Sequence, residues 1–127
     1  MLDTSLVRSF VDTQMPATWE FLRQMVGINS WTLNPAGVHH LAKFTAEHFA
    51  PLGFTAEFVA STNPRFGRHL LLTRRGRGSR SMAFISHLDT VYSAEEEARN
   101  DFHWRIEGDR IYGPGTDDIK GGTMMMH

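Results

Sequence analysis

The 127-residue sequence contains no cysteine. That excludes a disulfide framework, a thiolate metal site and a cysteine nucleophile, so any metal must be held by imidazole and carboxylate groups. Charge of one sign is also lacking. Lys plus Arg number 13 and Asp plus Glu number 14, for a formal net charge of −1. No electrostatic footprint for nucleic acid or for an anionic membrane surface exists in such a balance. No stretch approaches the roughly eighteen apolar residues a membrane-spanning helix needs, and the mean hydropathy is −0.31. The opening residues, MLDTSLVRSFVDTQ, interleave Asp, Thr, Ser and Arg with apolar positions and so lack the continuous apolar core of a signal peptide. The expectation is a cytoplasmic protein with neither nucleic acid nor membrane as partner. Internal repeats are missing, and the only biased tracts are Glu95 to Glu97 and Met124 to Met126.

What is present is enough apolar material for one domain, 41% of the residues. From Leu6 to Val26 apolar residues recur at helical spacing, with Pro16 either kinking one helix or opening the second of two. Gly27 to Pro35 reads as a connector. Asn34 before Pro35 supplies an N-cap and a proline at the first helical position, and the stripe Val38, Leu41, Thr45, Phe49, Leu52 runs to a stop at Gly53. Three strands are predicted next, at Thr55 to Ala60, His69 to Arg74 and Ser81 to His87. The turn Gly76 to Ser79 would make the second and third an antiparallel hairpin. "MAFIS", apolar at nearly every residue, has the pattern of a central strand buried on both faces. A small hairpin around Gly108 and Asp109 joins Trp104 to Glu107 with Arg110 to Tyr112. Helices followed by a mixed β-sheet give an α/β class. The final "GGTMMMH" opens an apolar segment that stops without a cap or polar finish.

Two segments carry chemistry. In "SHLDTV", Ser86 to Val91, a strand runs into His87 and Asp89, whose i and i+2 spacing lets both side chains face one pocket. A carboxylate beside an imidazole can accept one ring N–H and fix the tautomer of the other nitrogen as metal ligand or base; equally, His87 can simply end a strand while Asp89 caps a turn with Thr90. In "GPGTDDIKGG", Gly113 to Gly122, four glycines surround Asp117, Asp118 and Lys120. A phosphate loop would need Ser or Thr after its Gly-Lys pair, and here Gly121 follows Lys120. A surface turn of Gly and Asp is the plain alternative. Together the His and the acidic residues are ligands suited to Zn²⁺ or a similar divalent ion, though fewer than a closed site requires.

These residues resemble the paired signature of the zinc-dependent exopeptidase and deacylase superfamily that includes acetylornithine deacetylase, succinyl-diaminopimelate desuccinylase and glutamate carboxypeptidase. "SHLDTVY" is similar to the first motif, and "YGPGTDDIKGG" to the second, with Pro114 closest to the glutamate carboxypeptidase branch. Carried over position by position, the resemblance implies that His87 is a terminal ligand of one zinc, that Asp118 is the carboxylate bridging two zincs, and that Asp89 is the catalytic-site residue orienting His87. Asp117 falls at a variable position. The implied fold is the N-terminal portion, residues 1–127, of a three-layer catalytic domain whose mixed β-sheet is flanked by helices. The rest of the catalytic domain and an inserted dimerisation domain would lie outside it. The implied activity is hydrolysis of an amide bond in a small peptide or N-acyl amino acid. Two Zn²⁺ ions, or cobalt or manganese in their place, would serve a parent enzyme of homodimeric type.

The family's Glu pair, a further acidic ligand and a second terminal His have no counterparts in this sequence. Glu95 to Glu97 lies between the two motifs and reads as a solvated loop or short helix. His39, His40, His48, His69 and His103 read as surface or packing residues, and His127 has no role. The expectation is therefore a fragment without activity of its own. The alternative is a noncatalytic interaction or scaffold module that docks a partner through "TMMMH".

Overall fold

The computed structural model describes residues 3–127. Helix α1 runs from Thr4 to Val26 as one helix with Pro16 inside it, which settles the choice left by the sequence. Asp3 caps its start, accepting a hydrogen bond from the Ser5 N–H at 2.9 Å. Helix α2, Pro35–Phe49, begins as predicted: the Asn34 side chain accepts from the Gly37 N–H at 3.1 Å. A single 3₁₀ turn over Ala50–Leu52 extends it to Gly53, whose φ of 85° lies in the left-handed region that glycine adopts without strain.

The core sits between the second half of α1 and α2. Phe21, Leu22, Met25 and Val26 from the first meet Leu41 and Phe49 from the second, and Met124 closes the cluster. Met25 and Leu41 are fully buried, and burying such side chains is worth roughly 1.5–3 kcal/mol each. The first half of α1 extends past this core with Leu6, Phe10 and Val11 exposed.

Strands β1 (Thr55–Val59) and β2 (His69–Thr73) pair antiparallel, Thr55 opposite Thr73 and Val59 opposite His69. Leu72 of β2 and Phe54, just before β1, pack against the helical core. Helix α3, Ala94–Arg99, contains the Glu95 to Glu97 run and is fixed by a capping box between Ser93 and Glu96. Strands β3 (Arg105–Glu107) and β4 (Arg110–Tyr112) form the small hairpin expected around Gly108. Helix α4, Gly121–Met126, is the last element.

The α/β class is therefore the one observed, but its strands form two separate antiparallel ladders. The strand predicted at Ser81 to His87 is not formed. Residues 81–87 carry no ladder pairing, and Met82, Phe84 and Ile85 are exposed. Nor does the turn Gly76 to Ser79 close a hairpin: β2 pairs with β1 on one edge, and residues 81–87 form no strand to take the other. The physical reason is that an all-apolar strand needs neighbours on both edges and layers over both faces. Among the described residues nothing occupies those places. The apolar segment that closes the sequence is largely covered. Met124 is buried, Met126 packs against the core, and only Met125 is exposed.

One long-range tie fastens this end of the chain to the beginning. Lys120 is 1% exposed, and its Nζ donates to the carbonyl oxygens of Met25 at 2.9 Å and Ile28 at 3.0 Å. These carbonyls belong to the end of α1 and the loop after it; that of Met25 also accepts from the Ile28 N–H at 3.2 Å, so Lys120 adds a further donor there. Burial pulls the Lys120 pKa down from 10.5 to about 8, while the charge of Glu97 works upward. Between those two values the folded chain has released a proton that the unfolded chain still binds, so stability rises with pH across that window. In metal-free buffer, urea denaturation should show wild-type stability rising relative to that of Lys120→Met by up to about 3 kcal/mol from pH 8 to pH 10.5. A gap that stays constant with pH would contradict this account.

Candidate metal centre

The segment Ser86 to Tyr92 is held from behind by the loop that follows α1. The backbones of Trp31 and Thr90 form an isolated parallel bridge. The Thr90 N–H donates to the Ser30 carbonyl at 2.8 Å, and the Thr32 N–H donates to the Thr90 carbonyl at 3.0 Å. Side chains repeat the pattern. Buried Ser30 donates through Oγ to the Leu88 carbonyl at 2.8 Å, and Asn29 Nδ2 donates to the Tyr92 carbonyl at 3.1 Å. On the other side Ser86 Oγ and Thr123 Oγ1 share a hydrogen bond of 2.6 Å.

The second motif arrives through β3 and β4. Its turn depends on Gly115, which has φ of 77° and a bond from the Lys120 N–H to its carbonyl at 2.8 Å. A Cβ at Gly115 would lie 3.0 Å from Thr90 Cγ2 and 3.2 Å from Lys120 Cδ. The glycine therefore lets the two motifs approach each other closely.

The two motifs meet at His87. Its Nε2 lies 2.9 Å from Asp118 Oδ1 although 31 positions separate the residues. Its Nδ1 lies 3.0 Å from the Asp89 carbonyl and 3.3 Å from Asp89 Oδ1. Asp117 is exposed and makes no bond to His87; Asp118 is also largely exposed. The three residues line a cavity of about 270 Å³ together with Tyr92, Gly113 and Thr116. The Thr90 hydroxyl in the same wall is buried without a hydrogen-bond partner.

His87 is subject to opposing influences. Partial burial disfavours its charged form, but hydrogen bonds to Asp118 and the Asp89 carbonyl, with the charges of both carboxylates, outweigh it and raise the pKa above 6.5. Both ring nitrogens face acceptors, and only the imidazolium carries two N–H donors.

The donor types fit a zinc ion. Zn²⁺ takes imidazole nitrogen and carboxylate oxygen at about 2.0–2.2 Å each, and His87 Nε2 and Asp118 Oδ1 are close enough together to share one ion. The donor number falls short, since no group of three His, Asp or Glu side chains among the described residues is arranged to hold a metal.

The remaining histidines pack or stay at the surface. His48 stacks on Phe21 with ring centroids 4.4 Å apart, and His39 meets Phe58 edge-on at 5.3 Å. His103 sits 3.0 Å from Asp101. His127 is tied to the His48 carbonyl through Nε2 at 3.0 Å. Two residues were missed by sequence reasoning. Lys120 stood in the motif without a function, and Thr32, whose hydroxyl bonds Asp89 Oδ2, carried no spacing signal.

Comparison with known proteins gives a consistent picture. Residues 83–127 match the sequence profile of peptidase family M20/M25/M40. Carboxypeptidase G2 of Pseudomonas sp. (strain RS-16) is 33% identical over 124 residues, covering 98% of this chain and 29% of that protein. Succinyl-diaminopimelate desuccinylase of Gluconobacter oxydans is 44% identical over 53 residues, 42% of this chain and 14% of that protein. Acetylornithine deacetylase of Vibrio campbellii is 39% identical over 77 residues, 60% of this chain and 20% of that protein. The chain thus spans less than a third of the length of these relatives.

Two outcomes follow from the geometry. Removing the acceptor on Nε2 with Asp118→Ala should lower the pKa of His87 in the metal-free chain, read from the imidazole proton resonances in an NMR titration; an unchanged midpoint would mean the contact is not made in solution. Gly115→Ala should destabilise the chain by about 1–3 kcal/mol in chemical denaturation, through positive-φ strain and the two close contacts.

Proposed function

Since the chain belongs to peptidase family M20/M25/M40, we propose that its protein is a metal-dependent hydrolase cleaving an amide bond in a small peptide or an N-acyl amino acid. Zinc is the proposed metal, two ions in the complete site, with cobalt or manganese as substitutes. The observation that carries the reading is the approach of His87 Nε2 to Asp118 Oδ1 at 2.9 Å, across 31 positions, in the wall of a cavity.

In this reading His87 holds one ion through Nε2. Asp118 is the bridging carboxylate, and its exposed side chain leaves a second oxygen free for that purpose. Asp89 acts behind His87, where an acceptor on Nδ1 fixes the tautomer that presents a lone pair at Nε2. The bound metal would supply Lewis acidity toward the amide carbonyl and activation of water. Residues 1–127 form the first portion of the catalytic domain, and the whole protein is a homodimer in the same proposal.

The described residues bring one imidazole and one bridging carboxylate to the centre, short of the four donors typical of zinc, and Glu95 to Glu97 do not line its cavity. Glu95 to Glu97 is committed to α3, where Glu96 is engaged in the capping box. A noncatalytic docking module using the end of the chain is less well supported, because Met124 is part of the core.

Calorimetric zinc titration of the chelator-treated chain should show weak, substoichiometric binding that His87→Ala and Asp118→Ala abolish. The same preparation should not hydrolyse N-acyl amino acids or glutamate-terminated amides. Tight binding of two zinc ions, or weak binding indifferent to His87→Ala, would refute the assignment.

A further inference from the structure

Behind the imidazole and the Asp89 carboxylate lies a third group. We propose that Thr32 is a positioning residue of this centre, whose hydroxyl holds Asp89 Oδ2 so that Oδ1 stays turned toward Nδ1 of His87. This rests on the metal-site reading above and extends it to a residue outside both motifs.

The Thr32 N–H is bonded to the Thr90 carbonyl at 3.0 Å, and Thr90 in turn is bonded to Ser30 at 2.8 Å. Thr32 is thereby fixed against the segment that carries Asp89, 57 positions away. Its hydroxyl has a single proton and two acceptors within reach, Asp89 Oδ2 and the Thr90 carbonyl at 3.2 Å. The carboxylate is the shorter contact, and a charged acceptor makes the stronger bond. Thr90 loses nothing by this, because its carbonyl already accepts from the Thr32 N–H.

The consequence lies in the last torsion of Asp89. A carboxylate turns easily about that bond, which has a broad energy well. Tying Oδ2 to Thr32 leaves Oδ1 at 3.3 Å from Nδ1 of His87, whereas a free carboxylate would leave the Asp89 backbone carbonyl at 3.0 Å as the only fixed acceptor on that nitrogen. Thr32 thus acts through Asp89 on the tautomer and direction of the ring, without touching the metal position itself.

Two measurements test this. The first needs no metal. In an Asp118→Ala background, which removes the competing acceptor on Nε2, ¹⁵N NMR of the neutral His87 ring at about pH 9 should show mainly the Nδ1–H tautomer. Adding Thr32→Val should shift the population toward Nε2–H, and adding Thr32→Ser should not. The second uses cobalt titration of the chain with Asp118 intact. Thr32→Val should weaken binding about tenfold and Thr32→Ser by less than about twofold, while Thr32→Val added to Asp89→Ala should change nothing further. Unchanged ring signals in Thr32→Val, or an equal loss of cobalt affinity in the Asp89→Ala background, would overturn the proposal. A chain that fails to bind cobalt through His87 would instead refute the metal-site reading, and the tautomer measurement would still decide the role of Thr32.

Discussion

The arrangement around His87 depends on one buried ammonium. Lys120 lies two residues beyond Asp118, and its side chain crosses beneath the glycine turn to the carbonyls of Met25 and Ile28. Four things are fixed at once by that reach. The Met25 carbonyl at the end of α1 gains a further donor, and the Ile28 carbonyl in the loop after it gains one. The turn through Gly115 is pulled down onto Thr90, α4 is set so that Met124 enters the core, and Asp118 is left on the outer side of the same turn, facing His87. A buried charge is costly unless its hydrogen bonds are satisfied. The two carbonyl contacts explain how it is tolerated, and the lowered pKa shows that burial still weighs against it.

The loop after α1 acts on the other partner in a comparable way. Asn29, Ser30 and Thr32 each give a side-chain hydrogen bond to the segment from Leu88 to Tyr92, alternating with the backbone bonds on either side of the Trp31–Thr90 bridge. Residues 81–85 have no such support and stay exposed, while residues 88–90 are fixed. His87 stands at the boundary between these regimes. Its ring is oriented by contacts made after it in sequence, with Asp89 and Asp118, and not by the apolar run before it.

Local chemistry made part of this legible in the sequence. Asn34 before Pro35, Gly53 after Leu52 and Gly108 between two branched segments announce element ends through side-chain capping and backbone freedom, which neighbours alone decide. Pro16 was ambiguous because proline fits the start of a helix and can also sit, at a cost, inside one, as it does in the exposed half of α1. "MAFIS" was misread for a different reason. Its pattern describes the surroundings a strand requires, and the described residues do not supply them. Lys120 and Thr32 were illegible because their contacts span 95 and 57 positions, and no periodicity encodes such distances.

The meeting of His87 with Asp118 lies between these cases. Spacing alone could not choose Asp118 over Asp117, since both are acidic and adjacent; alignment to the motif chose it, and the backbone makes the same distinction. The φ and ψ of Asp118, −119° and 87°, break the helical turn that Thr116 and Asp117 begin. That break turns Asp118 toward the imidazole while Asp117 remains in solvent. A regular helix would place the two carboxylates about 100° apart around its axis. The non-helical backbone at Asp118 and Ile119 thus serves two opposed directions, a carboxylate outward to His87 and an ammonium inward to α1, within three residues of chain.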